Sequence, residues 1–286
     1  MEYIKAKTIL NTVKSGPEWF GLDYNFNLYR GCPHGCIYCD SRCSCYGIED
    51  FDRVRAKESC LEILERELSR KRKHGVVGIG AMSDAYNPAE IRHELTRGAL
   101  KLLSRYNFGI SIETKSTLIL RDIDILSEIN EKNNVIMKMT ITTPNDSLAK
   151  IIEPRASTPS ERFNAVRKLV EAGIFAGIIM DPILPFISDD SGDIREIVRL
   201  GSEAGAKFIY CHFMGVTLRE NQRLYFYEQL DKNFPGLKEK YIQAYGNKYI
   251  CRPTNHEELR AIFEAECERY GIIWKMPEII SGYKKF

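Results

Sequence analysis

The 286-residue chain has no apolar run approaching the length of about 18 residues that a membrane helix needs. Its first twenty residues, MEYIKAKTILNTVKSGPEWF, lack the apolar core of a secretory leader. No charge of one sign dominates, because 41 Lys and Arg oppose 39 Asp and Glu. A net charge of +2 leaves no strong electrostatic footprint for nucleic acid. The basic runs RELSRKRKH (66–74) and YKKF at the C-terminus are local, and the first reads as the solvated face of a helix. Low-complexity segments and short repeats are absent. These absences favour a cytoplasmic globular protein of ordinary core size.

Cysteine is not scarce. There are nine, an odd number, and five fall within LYRGCPHGCIYCDSRCSCY (28–46). A chain this long does not need a disulfide framework, and thiols stay reduced in the cytosol. A structural zinc site usually shows two paired sets of ligands. Only Cys36 and Cys39 form an x2 pair here, and Cys60, Cys211, Cys251 and Cys267 stand alone. Zinc would have to recruit Cys32, Cys43, Cys45 or His34. Three thiolates at Cys32, Cys36 and Cys39 (C-x3-C-x2-C) suit a [4Fe–4S] cluster with one iron left free of protein. Gly31 and Gly35 allow positive φ in the loop, and Pro33 stiffens it.

The motif CPHGCIYC resembles the cluster motif of the radical SAM superfamily, with Tyr38 in its aromatic place. The resemblance implies a [4Fe–4S] cluster on Cys32, Cys36 and Cys39 and S-adenosylmethionine on the open iron. One electron then cleaves S-adenosylmethionine reductively, and a 5′-deoxyadenosyl radical takes hydrogen from a substrate. It also implies oxygen sensitivity and a one-electron donor such as flavodoxin or ferredoxin.

The remaining pattern reads as α/β. Strands are expected at 24–30, 75–82, 109–114, 134–142, 175–181 and 207–213. Helices are expected at 56–73, 89–106, 121–132, 158–172 and 192–204. STPSE before 158–172 is a capping signal with Pro159 in the first turn. Six βα units imply a parallel sheet, and a closed eight-stranded barrel lacks its last two units. A doubly wound sheet would want a glycine-rich loop after the first strand, where this chain has cysteines. We therefore expect a partial (β/α)6 TIM-like barrel, a radical SAM core, over 23–215. A lead-in over 1–22 precedes it, and a mainly helical C-terminal extension over 216–286 follows.

Active sites of parallel β/α proteins lie at the carboxyl ends of strands. Ser83, Asp84 and Asn87 follow strand two, where many relatives carry a glycine–glycine–glutamate motif that is absent here. Lys115 after strand three is a candidate for the carboxylate of S-adenosylmethionine, with Glu113 and Thr114 beside it. Thr140 and Thr142 on strand four, Glu153 and Arg155 beyond it, and Asp181 after strand five complete the cofactor-binding candidates. Cys211 on strand six is a candidate radical partner, on the expectation that Ile209 and Cys211 face into the barrel while Tyr210 and His212 face out. Cys43 and Cys45 are not expected to be ligands.

SDAYNPAE, TKSTLILRDIDIL, IIEPRASTPSERFNAVRKLVEAGI, DPILPFISDD and LDKNFPGLKEKYIQAYG narrow the resemblance to the spore photoproduct lyase-related branch. That branch implies DNA repair as an alternative function. The cysteine donor it implies just before the Ser–Asp pair is missing, since Ala81 and Met82 stand there. A non-catalytic zinc-binding regulatory protein is the remaining alternative.

Overall fold

The computed structural model describes residues 1–13, 19–213 and 215–285. Part of the expected lead-in, 14–18, and the last residue of the basic C-terminal run, Phe286, lie outside the described residues. Six strands form one parallel sheet in chain order: β1 (Tyr24–Phe26), β2 (Val76–Ile79), β3 (Gly109–Thr114), β4 (Val135–Thr140), β5 (Phe175–Ile179) and β6 (Ile209–Tyr210). The short strand Asn11–Thr12 pairs antiparallel on the outer edge of β1. Sequential parallel order is what an open (β/α)6 barrel requires, and each strand is followed by helix: α1 (Cys60–Leu68), α2 (Leu95–Arg105), α3 (Ile123–Lys132), α4 (Pro159–Glu171) and α5 (Ser191–Glu203).

Side chains alternate across each strand, so the sheet has two apolar faces. Val77, Ile110, Ile112, Met137, Ile178 and Ile209 pack with Leu64, Leu100, Leu126, Val166 and Ile197 of the covering helices. Val76, Ile136, Ile179 and Tyr210 face the other way, onto Phe20, Phe208 and Tyr283. Beyond β6 come α6 (Glu220–Asn233), α7 (Leu237–Tyr245), α8 (His256–Tyr270) and α9 (Met276–Tyr283). The α9 residues Ile279 and Tyr283 join Phe20 in closing the inner face, whereas Leu259 and Phe263 of α8 join the outer core.

Local chemistry moves several expected boundaries. The run 24–30 splits, because Tyr29–Arg30 leave the sheet and pair with Arg55–Lys57 in a small separate sheet. That pairing also delays α1 to Cys60. The expected helix 89–106 breaks at Glu94 (φ 48°), where the Glu90 carboxylate accepts from Thr96 N–H at 3.0 Å and caps the first turn of α2. The expected strand over 207–213 shrinks to Ile209–Tyr210. An unexpected helix, Asp146–Ile152, is capped by Asn145, which accepts from Ser147 and Leu148 N–H. The Thr158–Glu161 capping box opens α4 as its sequence predicts.

Candidate active site

The cysteine loop leaves the first strand segment through Gly31 at φ +81°. A Cβ on Gly31 would lie 2.7 Å from the Phe51 carbonyl oxygen and 2.8 Å from that of Arg53, so no other residue fits without displacing backbone. The loop is tied at three places. Cys32 N–H donates to Phe51 O (2.8 Å), Ile37 N–H to Ile152 O (2.9 Å), and Arg155 N–H to His34 O (3.0 Å). These ties bring Cys32, Cys36 and Cys39 to one cleft, shared with Ala81, Ser83, Asp84, Thr114, Lys115 and Thr140. Burial pushes the Cys32 thiol up to about 12 and the Cys36 thiol further. Buried thiols of this kind deprotonate when a metal centre supplies the opposing charge. A single zinc ion would draw its ligands in to about 2.3 Å. Among the described residues no three His, Cys, Asp or Glu side chains converge on such a point. Three free thiols on one cleft are the donor set that an iron–sulfur cluster with one open iron would take.

Asp84 holds the loop to the barrel. Its carboxylate accepts from Thr114 Oγ1 (2.6 Å), Lys115 N–H (2.8 Å) and Tyr86 N–H (2.9 Å), and His34 Nε2 lies 3.2 Å away. Burial would raise its pKa, but the His34 imidazole and these donors outweigh it and hold the carboxyl well below the usual range. His34 in turn places Nδ1 3.0 Å from Arg155 O. The chain Asp84–His34–Arg155 backbone therefore links the ends of β2 and β3 to the cysteine loop and to the segment after β4.

A second buried network lies beneath the loop. Tyr38 donates its hydroxyl to Glu153, whose other oxygen pairs with Arg162. Arg162 is fully buried and also donates to Thr140 O (2.8 Å) and Ser157 O (2.7 Å). Lys115 Nζ sits 5.6 Å above the Tyr38 ring and has no carboxylate within salt-bridge distance among the described residues. The cleft continues into a larger cavity in the barrel mouth. Cys39, Ser41, Ala81, Glu113 and Lys115 line both, and Trp19, Asp40, Asp181, His212 and Thr217 line the far part.

The sequence model of the radical SAM superfamily matches residues 26–201, more than half of the chain. The chain belongs to the radical SAM superfamily. It is a radical SAM enzyme, cleaving S-adenosylmethionine to generate a radical, and its substrate is not identified by these likenesses. An uncharacterized protein of Methanocaldococcus jannaschii is 30% identical over 237 residues, covering 81% of this chain and 83% of that protein. One of Mycobacterium tuberculosis is 27% identical over 264 residues, covering 90% and 77%. Solved structures of spore photoproduct lyase share the fold. A complex with dinucleoside spore photoproduct matches with TM-score 0.69 at 16% identity, covering 95% of this chain and 81% of that one. A single-residue variant gives 0.71 at 16% identity, with 95% and 80% covered.

Within this radical SAM fold the expected site residues divide. Lys115 and Thr140 line the cleft, and Thr140 Oγ1 is buried without a hydrogen-bond partner. Ser83 and Asp84 also line it, but Ser83 Oγ donates to Gly31 O (2.5 Å) and Asp84 is saturated by protein donors, so both brace the loop. Asn87 is off the cleft. Its amide donates to Asp84 O (3.0 Å) and accepts from Ala89 N–H (3.0 Å), closing a turn. Glu153 and Arg155 do not act together: Glu153 is buried against Arg162, while Arg155 is exposed beside Asp52 (3.1 Å). Thr142 Oγ1 reaches Glu153 at 3.4 Å.

The faces of β6 are the reverse of the expectation. Ile209 and Cys211 pack on the helix side of the sheet, and Tyr210 and His212 face the barrel side. Cys211 lies in a separate surface pocket with Arg260, Phe263 and Trp274 and donates its thiol to Met180 O (3.3 Å). It is partly buried against the outer core, where helix packing, not strand polarity, chose its side. Arg162 was not among the sequence candidates. Its only signal was an arginine at an inward-facing position of an amphipathic helix, where leucine was to be expected.

Proposed function

We propose that Cys32, Cys36 and Cys39 hold a [4Fe–4S] cluster and that S-adenosylmethionine lies against it, with its carboxylate on Lys115 and a hydrogen-bonding group on Thr140. When bound, the cluster supplies the electron that cleaves the carbon–sulfur bond. The protein's part is to orient and to exclude water. Gly31 and Gly35 bring the loop backbone close, the Asp84–His34 brace fixes the loop against β2 and β3, and the Tyr38–Glu153–Arg162 network fixes it from below. The substrate occupies the barrel-mouth cavity beyond Cys39. The observation that carries this reading is that three free thiols of one eight-residue loop segment open onto a cleft continuous with that cavity.

We assign the barrel to 23–215 and treat 216–286 as an extension that steadies the loop. Asn221 of α6 donates to Arg42 O (2.9 Å) and accepts from Ser44 N–H (2.6 Å). No helix among the described residues is long and apolar enough to cross a membrane. A reducing cytoplasm and a small one-electron donor, flavodoxin or ferredoxin, suit the proposed cluster. The test is anaerobic reconstitution with iron and sulfide, followed by assay of 5′-deoxyadenosine from S-adenosylmethionine under a strong reductant. Product from the native chain and none from Cys36→Ala supports the reading.

The second reading is a DNA lyase of the spore photoproduct type, favoured by the fold match. Ala81 weighs against it, because a methyl group lines both parts of the cavity where that branch implies a thiol. Incubation with dinucleoside spore photoproduct separates the two: thymidine dinucleotide would be formed only under the second reading.

A further inference from the structure

Three carboxylates line the barrel mouth, Asp40 and Asp181 in its far part and Glu113 at the end shared with the cysteine cleft, and they are not equivalent. Asp40 accepts from Thr217 Oγ1 (2.8 Å) and Tyr46 OH (2.9 Å) and has Arg219 at 3.4 Å. Glu113 has Lys138 at 3.7 Å. Asp181, at the carboxyl end of β5, has no cation within salt-bridge distance among the described residues. Its carboxylate is met by neutral groups, His212 N–H at 2.6 Å and the Phe213 backbone among them, with the Cys211 thiol, which also donates to Met180 O, at 3.5 Å. Among the described residues Lys115 is the one Lys or Arg lining the cavity, and it sits at the end shared with the cysteine cleft. The cavity is therefore polarised, with a cation beside the cysteines and an uncompensated carboxyl across from them.

We propose that this cavity takes a substrate bearing a protonated amine or guanidinium group and that Asp181 is the residue that recognises it. The proposal rests on the radical SAM reading of the cavity and adds the substrate class to it. Asp181 is half-buried, and a carboxylate partly withdrawn from water without a counter-charge is costly, a cost that a ligand cation lowers while gaining a charge-assisted hydrogen bond. Burial, and next the charge of Glu113, push the Asp181 carboxyl up to about 7, against lowering by the His212, Cys211 and Phe213 donors. Tyr210 and Cys211 on β6, Glu113 on β3 and Arg260 on α8 are the other titratable or charged groups acting around it.

Trp19 lines the cavity and Trp274 does not, so Trp274→Phe leaves a single reporter. In that background, with the cluster reconstituted and S-adenosylmethionine present, we expect agmatine to change Trp19 fluorescence and a thymidine dinucleotide not to. Asp181→Asn should weaken agmatine binding by about tenfold or more, and Asp181→Glu should restore part of it. Agmatine binding at pH 7 should also release protons, read by calorimetry in buffers of different ionisation enthalpy. S-adenosylmethionine affinity should be equal in the native chain and Asp181→Asn. The proposal is overturned if agmatine does not bind, if Asp181→Asn binds it equally, if the dinucleotide binds in its place, or if Asp181→Asn instead loses S-adenosylmethionine. A cluster that still responds to S-adenosylmethionine in Asp181→Asn leaves the radical SAM reading standing in each of those cases. A cluster that never forms in the native chain would fail that reading itself.

Discussion

Replacing Asp84 with alanine tests whether the cysteine loop is held by the barrel. The change removes one acceptor from two backbone N–H groups and the Thr114 hydroxyl, and the carboxylate that lies 3.2 Å from the His34 ring. A hydrogen bond to a charged acceptor contributes about 1.5–3 kcal/mol, but Thr114 can rotate and His34 can reach water in the cleft. Breaking one buried charged centre of this kind costs about 3–5 kcal/mol. The entropy of unfolding is about 2.1 cal/mol/K per residue, or about 0.6 kcal/mol/K for this chain of 286 residues. Melting of the metal-free protein should therefore fall by about 5–8 °C, and iron per chain after reconstitution should fall with it. The Asp84 carboxyl is depressed below its unfolded value near 4, so its contribution is present above that pH and is lost only as pH falls through its lower folded value. Mild acid to pH 4 should thus leave the brace intact. An Asp84→Ala protein with unchanged melting and full iron content would refute the reasoning.

Other expectations follow from the same geometry. Alanine at Cys32, Cys36 or Cys39 should each abolish the reducible cluster, whereas alanine at Cys45, exposed beside Arg219, should leave its absorption spectrum unchanged. Gly31→Ala should cost at least about 1 kcal/mol from its left-handed backbone alone and more from the clash with Phe51 O, and should lower iron content without changing any ligand. Arg162→Met should strand the Glu153 carboxylate and cost about 3–5 kcal/mol in urea unfolding, a loss that Glu153→Gln in the same chain should partly reverse. Because the Asp181 carboxyl is raised, native stability should decline as pH rises through about 7, and Asp181→Asn should flatten that slope. Cys211→Ala should leave S-adenosylmethionine cleavage intact.

The barrel was legible because its signals are local: apolar strands, amphipathic helices and one capping box repeat along the chain. Spacing and motif singled out Cys32, Cys36 and Cys39, and the structure brings all three to one cleft. The partners of the buried charges were not. Glu153 and Arg155 are two residues apart in sequence and looked like a pair, yet the end of the Asp146–Ile152 helix turns Glu153 inward to Arg162 and leaves Arg155 at the surface. Ser83, Asp84 and Asn87 looked like ligand groups because their donors and acceptors are uncommitted in sequence. Folding commits them to Gly31, His34, Lys115 and Ala89. Strand-face assignment at β6 failed for a related reason. Cys211 and Tyr210 are both apolar enough for either side, and the aromatic set of Trp19, Phe20 and Tyr283 claimed Tyr210 for the inner face.

The most direct test is electron paramagnetic resonance of the reconstituted protein after one-electron reduction, recorded with and without S-adenosylmethionine. A [4Fe–4S] signal that shifts on adding S-adenosylmethionine, and is absent when Cys32, Cys36 and Cys39 are all alanine, is the result predicted. A signal indifferent to S-adenosylmethionine, or one that survives in the triple variant, would contradict the assignment of the site.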